Sequence, residues 1–407
     1  MDRQLLAVLT PLVKAEFGLS DLQVGLVTGL GFALTFSLLG VPLGRWADRR
    51  ARRPLIVACR ALGALLGASG ALAGGFCSLM ASRAGGALSD AGGNPASMSM
   101  LADLYPPERR SRAMSVFASA SSVGALAALV GGSWLASRFG WRPTLALVGA
   151  ATLVLTLLLR ATVAEPPRGG PGGAAVPSAA HGAVRAVWSA PVTRWLILAA
   201  ACVLLAGYSF GAWNTALLVR HHGLALPSAG WVSGAAALAS MAGGLVAGSL
   251  TDALARRDPR WQLGIPALGV ALALPAGWAY LLLPAGQVTA AVALVVTYAF
   301  FVTWWVAPTY AAISLAVPAE RRATASAMLL LAGSIVGSGL GPIFTGWLSD
   351  RLAPVAGGAS LAWALAVTLA MLLPALLAFG RARRAYPVAL QAARAGISPP
   401  ASANTTS

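Results

Sequence analysis

Long apolar runs, separated by short arginine-bearing stretches, make up nearly the whole chain. The first run, residues 5–13, is too short to cross a hydrocarbon core of about 30 Å, which takes about 20 residues. The runs that follow are full length, at 22–44, 55–76, 78–102, 113–136, 143–161, 194–218, 228–251, 262–283, 287–314, 324–347 and 359–380. None alternates with the period of two that marks a barrel strand. The pattern therefore predicts an all-α membrane protein with eleven complete helices and a truncated first one. These fall into two groups of six, residues 1–161 and 193–380, around a Gly-, Pro- and Ala-rich linker, 162–192. The polar tail, 381–407, is expected to be disordered.

Composition agrees with the pattern. The chain is 57% hydrophobic and 10% charged, with a mean hydropathy of +0.74; a soluble domain carries about 25% charged residues. A net charge of +17 raises nucleic acid as a partner. The arginines lie between apolar runs and not on one basic face, which excludes it. They crowd the 2–3, 4–5, 8–9 and 10–11 loops and the tail. By the positive-inside rule those loops and both termini face the cytoplasm, in the inner membrane of a bacterium. Met1-Asp2-Arg3 lacks the basic start and cleavage site of a signal peptide. The three cysteines lie singly, so neither a disulfide framework nor a metal site is expected. No phosphate-binding Gly-rich loop and no Ser/His/Asp set is present, so neither a cofactor nor enzyme chemistry is expected.

The chain repeats itself. Gly44-x-x-x-Asp48-x-x-x-Arg52-Arg53 returns as Gly248-x-x-x-Asp252-x-x-x-Arg256-Arg257, an offset of 248 − 44 = 204 in 407 residues. Pro106-Pro-Glu-Arg109-Arg110 returns as Pro318-Ala-Glu-Arg321-Arg322, and Trp134-Leu135 as Trp347-Leu348. Two six-helix halves in the same orientation place a substrate site between them near mid-membrane.

The motif Gly44-x-x-x-Asp48-Arg49-x-x-Arg52-Arg53, with its second copy, resembles the signature of the major facilitator superfamily. Further segments resemble its bacterial spinster-like branch: Asp2-Arg3; Phe17-Gly-Leu-Ser-Asp21; Arg83 followed by Asp90; Gly140-Trp-Arg142; Gly207-Tyr208 with Trp213; Val219-Arg220; and Gly341-Pro342 through Ser349-Asp350. The resemblance covers residues 2 to about 352. It implies a secondary transporter whose first, fourth, seventh and tenth helices line the cavity. In the eukaryotic branch it also implies lysolipid-like substrates. Two departures stand out. The family has Glu where this chain has Asp90. It also has most of a helix before Asp2-Arg3, so the true start is expected upstream by about 15–20 apolar residues, or half a helix has been lost.

Charges inside spans are costly and point to function. At 1.5 Å per residue, Asp2 and Asp90 lie about 22 and 20 Å from the outer ends of their helices. Arg83 and Asp90, two turns apart, share a helix face. The expectation is a proton-coupling set of Asp2 and Asp90 countered by Arg3 and Arg83, because two carboxylates at one depth do not both ionise readily. Static intramembrane ion pairs are the alternative. Arg60 is expected to snorkel to the interface, and His222 to be a solvated loop residue. Tyr208, Trp213, Asn214, Thr303, Trp304 and Tyr310 are the expected cavity residues, suited to an amphipathic organic molecule. Gly44, Asp48, Arg49, Arg52, Arg53, Arg110, Asp252, Arg256 and Arg322 are expected to form a cytoplasmic gate, with Asp48 and Asp252 meeting the N-termini of helices 11 and 5. The expected function is a monomeric, proton-coupled carrier of a small amphipathic molecule. A multidrug/proton efflux carrier and a non-transporting sensor are the alternatives.

Overall fold

The computed structural model describes residues 2–166, 187–188, 190–317 and 322–394. Most of the predicted linker and the last thirteen residues of the tail lie outside them. The described chain forms twelve helical runs, which we label α1 (Asp2–Phe17), α2 (21–49), α3 (Arg52–Leu72), α4 (76–104), α5 (107–139), α6 (Trp141–Thr162), α7 (Pro191–Arg220), α8 (Leu226–Ala255), α9 (Trp261–Leu281), α10 (Val288–Leu315), α11 (322–356) and α12 (360–394). Nine stretches are long and apolar enough to cross a membrane, the last of them holding both α11 and α12. The α4 run is divided at Ala87 into pieces of 11 and 17 residues, each short of a span. At 16 residues, α1 is longer than its apolar run.

Local sequence explains the joints. Gly18 adopts φ 59° and releases the chain from α1. Ser20 then caps α2, its Oγ accepting from Gln23 N while Gln23 Oε1 accepts from Ser20 N, which satisfies two orphan donors of the first turn. In the second half, Gly223 (φ 68°) makes the corresponding turn between α7 and α8. π-Helical turns interrupt α2 at Leu26–Leu30, α5 at Ala127–Gly131 and α11 at Gly333–Leu340. Such turns recur where helices do functional work. The last of them ends at the Gly341-Pro342 step, where Pro lacks the N–H that a continuing ladder needs.

The expected disorder from residue 381 is not found as far as Arg394: α12 continues there as helix. The reason is packing, because Ala382, Tyr386, Ala389 and Leu390 are buried.

Two compact units are present. One comprises Met1–Val176, Gly211–Gly234 and Ser338–Leu361. It thus holds the first half together with the parts of α7, α8 and α11 that lie at the arginine-poor end of the helices. The other comprises Pro177–Phe210, Ala235–Gly337 and Ala362–Ser407. In it, Phe210 packs at a tilt against Tyr280 and Tyr298, and Trp304 sits in a cluster with Ala247, Ile265, Phe300 and Phe301.

Candidate functional site

Within the first unit, segments from both halves of the sequence meet at the arginine-poor end. Backbone approaches backbone there through glycine. A Cβ on Gly25 of α2 would stand 2.5 Å from the Pro342 carbonyl oxygen of α11, and one on Gly230 of α8 would stand 2.5 Å from the Leu129 carbonyl oxygen of α5. These contacts are copies of each other: Gly25 and Gly230 are related on the offset of the turn glycines Gly18 and Gly223 (230 − 25 = 223 − 18 = 205), one more than that of Gly44 and Gly248, and Leu129 and Pro342 (342 − 129 = 213) on that of Trp134 and Trp347 (347 − 134 = 213). Gly346 lies against the Asp21 backbone, and Gly29 against the Gly339 carbonyl.

Among the described residues, the α2–α11 copy alone carries carboxylates. The Asp21 carboxylate, 6% exposed, accepts from Lys14 Nζ of α1, from Arg220 Nη1 of α7 at 2.8 Å and from Ser349 Oγ of α11 at 2.7 Å. Asp350 Oδ1 and Oδ2 accept from the backbone N–H groups of Asp21 and Leu22 at 2.9 and 2.8 Å. A carboxylate on free N–H groups at a helix start is favoured by the helix dipole. Two carboxylates and two cations close the charge account of the cluster. Arg220 also lies 5.8 Å from the Trp213 ring, whose Nε1 donates to the Pro342 carbonyl at 3.1 Å. In the α5–α8 copy, Leu226 stands where Asp21 does and Ser137 where Asp350 does. Beside the cluster, Glu16 accepts from Trp141 Nε1 at 2.5 Å and Arg142 Nη2 at 2.6 Å, tying α1 to α6. His222 is buried, not solvated as expected. That burial, with His221 beside it, lowers the His222 pKa from its ordinary value.

The expected coupling set is placed differently. The side chains of Asp2 and Arg3 lie outside the described residues. Asp90 and Arg83 do not lie on one continuous helix, because α4 breaks between them, and Asp90 N bonds back only three residues, to Ala87 O at 3.2 Å. Asp90 Oδ1 accepts from Asn94 Nδ2 at 3.4 Å, and Asn94 Oδ1 accepts from Arg60 Nη2 at 3.3 Å. Arg60 therefore reaches to α4. Arg83, 5% exposed, lies 5.5 Å from the Phe32 ring of α2.

Several expected cavity residues are packed. Trp213 and Asn214 are buried, and Asn214 Nδ2 donates to Ser233 Oγ at 3.2 Å. Thr303 donates to the Ser240 carbonyl at 2.9 Å, and the Trp304 side chain is only 6% exposed. An aromatic at mid-span looks the same in sequence whether it faces a cavity or a neighbouring helix. Tyr208, against Gly337, and Tyr310 are partly exposed. An open volume in the first unit lies elsewhere. It is a groove of 730 Å³ on α4 and α5, lined by Leu101, Tyr105, Arg109, Ala113, Val116 and Phe117. Its size suits a small organic ligand.

The expected cytoplasmic gate is partly a fixed structure of the first half. Arg52, 3% exposed, pairs with Asp103 at 2.5 Å and Glu165 at 3.4 Å and donates to Ser99 Oγ at 3.0 Å. Glu165 accepts from the backbone N–H groups of Arg52 and Arg53 at 2.9 and 2.6 Å, capping α3. The Arg53 guanidinium donates to the Arg160 carbonyl. Gly44 and Arg49 sit in the last turns of α2. Asp252 and Arg256 are exposed, and the side chains of Asp48, Arg110 and Arg322 lie outside the described residues.

A Major Facilitator Superfamily profile matches residues 1–342. The chain is 34% identical over 372 residues to an MFS-type efflux pump of Mycolicibacterium smegmatis, covering 91% of this chain and 86% of the pump. It is 30% identical over 172 residues to the human protein spinster homolog 1, covering 42% of this chain and 32% of that protein. Among solved structures, a bacterial homolog of the human lysosomal transporter Spinster, in an inward-facing and unoccupied conformation, matches with a TM-score of 0.77 at 28% identity. That match covers 97% of this chain and 93% of the other.

Proposed function

The chain belongs to the major facilitator superfamily and is a transporter, not an enzyme; on that premise we propose that it is a proton-coupled carrier of an amphipathic organic molecule, working by alternating access, with the Asp21 cluster as its outer gate. The observation that carries this is the Asp21–Arg220 pair with the Asp350 cap, because it joins α1 and α2 to α7 and α11 at the arginine-poor end. The excess of arginine in the opposite loops supports an inner-membrane orientation with that end outside.

The groove on α4 and α5 supports the substrate class. It is apolar along Leu101, Val116 and Phe117, with Tyr105 and Arg109 as the polar residues of its lining. A lysolipid-like anion has that mixture. Asp90, joined to Arg60 through Asn94, is the described carboxylate we assign to proton coupling; neutralising it frees Asn94 and Arg60 to move. The likeness to a mycobacterial efflux pump supports a second reading, drug/proton efflux.

Reconstituted proteoliposomes test the proposal. A thermal-shift screen of lysolipids, fatty acids, organic acids and cationic drugs selects the ligand, and its flux is followed under an imposed pH gradient. Flux is expected to follow the gradient and to lose that dependence in Asp90→Asn. Gradient-driven flux unchanged in Asp90→Asn removes the coupling role, and stabilisation by cationic drugs alone favours efflux.

A further inference from the structure

The last helix carries arginines that the transport reading leaves without a task. In the second unit, the Arg381 guanidinium lies 4.8 Å from the Trp195 ring centre, and Arg194 lies 5.7 Å from the same ring. Arg383 lies 5.2 Å from the Trp261 ring. All three distances are within the roughly 6 Å reach of a cation–π contact. Among the described residues, none of Arg194, Arg381, Arg383 and Arg384 is in an ion pair with a carboxylate. Two guanidiniums thus reach one indole, and no described carboxylate pairs with either. The indole holds their orientation but uses none of their N–H donors. The turn that carries Arg381 is itself firmly held, with Ala382 and Tyr386 buried on its other side.

The surface leading away from these arginines is apolar. On α12, Leu377 (63% exposed) and Leu373 (43%) precede Arg381 by one and two turns; on α7, Leu198 (42%) follows Arg194 by one turn. All three lie on the bilayer side of the arginines. Trp195, near the start of α7, stands at the level of an interfacial aromatic belt.

We propose that Arg194, Trp195 and Arg381 form a binding site for the phosphodiester of an anionic phospholipid, whose acyl chain lies along Leu198, Leu377 and Leu373. Both guanidiniums donate to the phosphate oxygens, and charge-assisted bonds of that kind are the strong ones. The lipid anion neutralises the pair that no described carboxylate neutralises. The site shares no residue with the groove on α4 and α5 and does not depend on which substrate is carried.

Native mass spectrometry of the delipidated full chain in detergent tests this, with cardiolipin, phosphatidylglycerol, phosphatidylethanolamine and inorganic phosphate as probes. The two anionic lipids are expected to bind, with phosphatidylethanolamine and inorganic phosphate much weaker. The Arg194→Gln/Arg381→Gln variant is expected to lose about 30-fold in anionic-lipid affinity, taking the usual contribution of each basic residue near a lipid surface. Arg138→Gln/Arg257→Gln removes the same charge elsewhere and is expected to bind as the parent does. Trp195→Leu keeps the charge, loses the stacking, and is expected to bind several-fold more weakly. Equal losses in the two double variants, or binding of phosphatidylethanolamine or free phosphate as strong as that of the anionic lipids, overturn the proposal. If the arginine variant does not purify as a single species, Trp195→Leu decides: unchanged affinity there also overturns it.

Discussion

Arg220, the last residue of α7, donates from Nη1 to Asp21 Oδ1 at 2.8 Å, so a side chain of the second half closes on the head of α2 across 199 residues of sequence. The carboxylate is nearly buried, and removing one partner of such a pair leaves a charge uncompensated, at a cost of about 3–5 kcal/mol when burial is complete. Arg220 keeps 26% of its side chain exposed, so part of that cost is relieved by water. Asp21→Asn is therefore expected to move the outer end toward opening by at least about tenfold, or roughly 1.4 kcal/mol. Labelling of Val24→Cys, a buried α2 position, by an impermeant maleimide reads this directly. Labelling at the parental rate would show that the pair does not hold the end shut.

Asp350 acts on the same joint through backbone. Its two oxygens take the N–H groups of Asp21 and Leu22, which the Ser20–Gln23 capping box leaves free. Losing a helix cap costs about 1 kcal/mol. Asp350→Ala is expected to destabilise the chain by about that much, and Asp350→Asn, which keeps one acceptor, by less. Thermal unfolding in detergent compares the two; equal stability of all three chains would mean that water replaces the cap without loss.

The fold could be read from the chain because apolar length and arginine placement report directly on membrane helices, and because Gly44–Arg53 has a second copy. The outer cluster could not. Lys14, Asp21, Arg220 and Asp350 all lie near span ends, where a charge looks solvated, and their pairing depends on helices brought together from both halves. The signal that was available lay in the repeat. Gly25 and Gly230 occupy matching positions, whereas Asp21 matches Leu226 and Asp350 matches Ser137. Charges found in one copy of a repeat and not in the other are candidates for a task that only one copy performs. The tryptophans misled in the opposite sense. Trp213 and Trp304 are polar-edged aromatics within spans, and both pack against neighbouring helices.

The paired glycines are expected to be intolerant for the same physical reason. In Gly25→Ala and Gly230→Ala the new methyl meets a backbone carbonyl of α11 or α5, and backbone cannot rotate away as a side chain can. Each substitution is expected to force its helix pair apart, raise Val24→Cys labelling and cut transport about tenfold or more. Gly40→Ala, also on α2 but with nothing within 4 Å of the new methyl, serves as the tolerated control. Matching losses at Gly40 and Gly25 would point to a general loss of helix flexibility in place of a steric block.

Glu165 gives the arginine motif a pH signature. Its carboxylate caps α3 through the Arg52 and Arg53 N–H groups and reaches the Arg52 guanidinium. Burial alone would raise its pKa, but the two backbone N–H groups and the Arg52 side chain outweigh burial and hold it below the usual glutamate value. The unfolded chain binds the proton more readily, so the contribution is complete above the unfolded pKa of about 4.3. It is lost as pH falls from there through the lower folded value. Glu165→Gln removes the charge and keeps one acceptor. Its deficit in thermal stability is therefore expected to be constant from about pH 8 to 6 and to shrink below about pH 4, as the parent carboxylate protonates and loses the same interaction. Unfolding curves for both chains across that range decide it. A deficit that stays constant to the lowest pH would mean that Glu165 acts through packing and not through its charge.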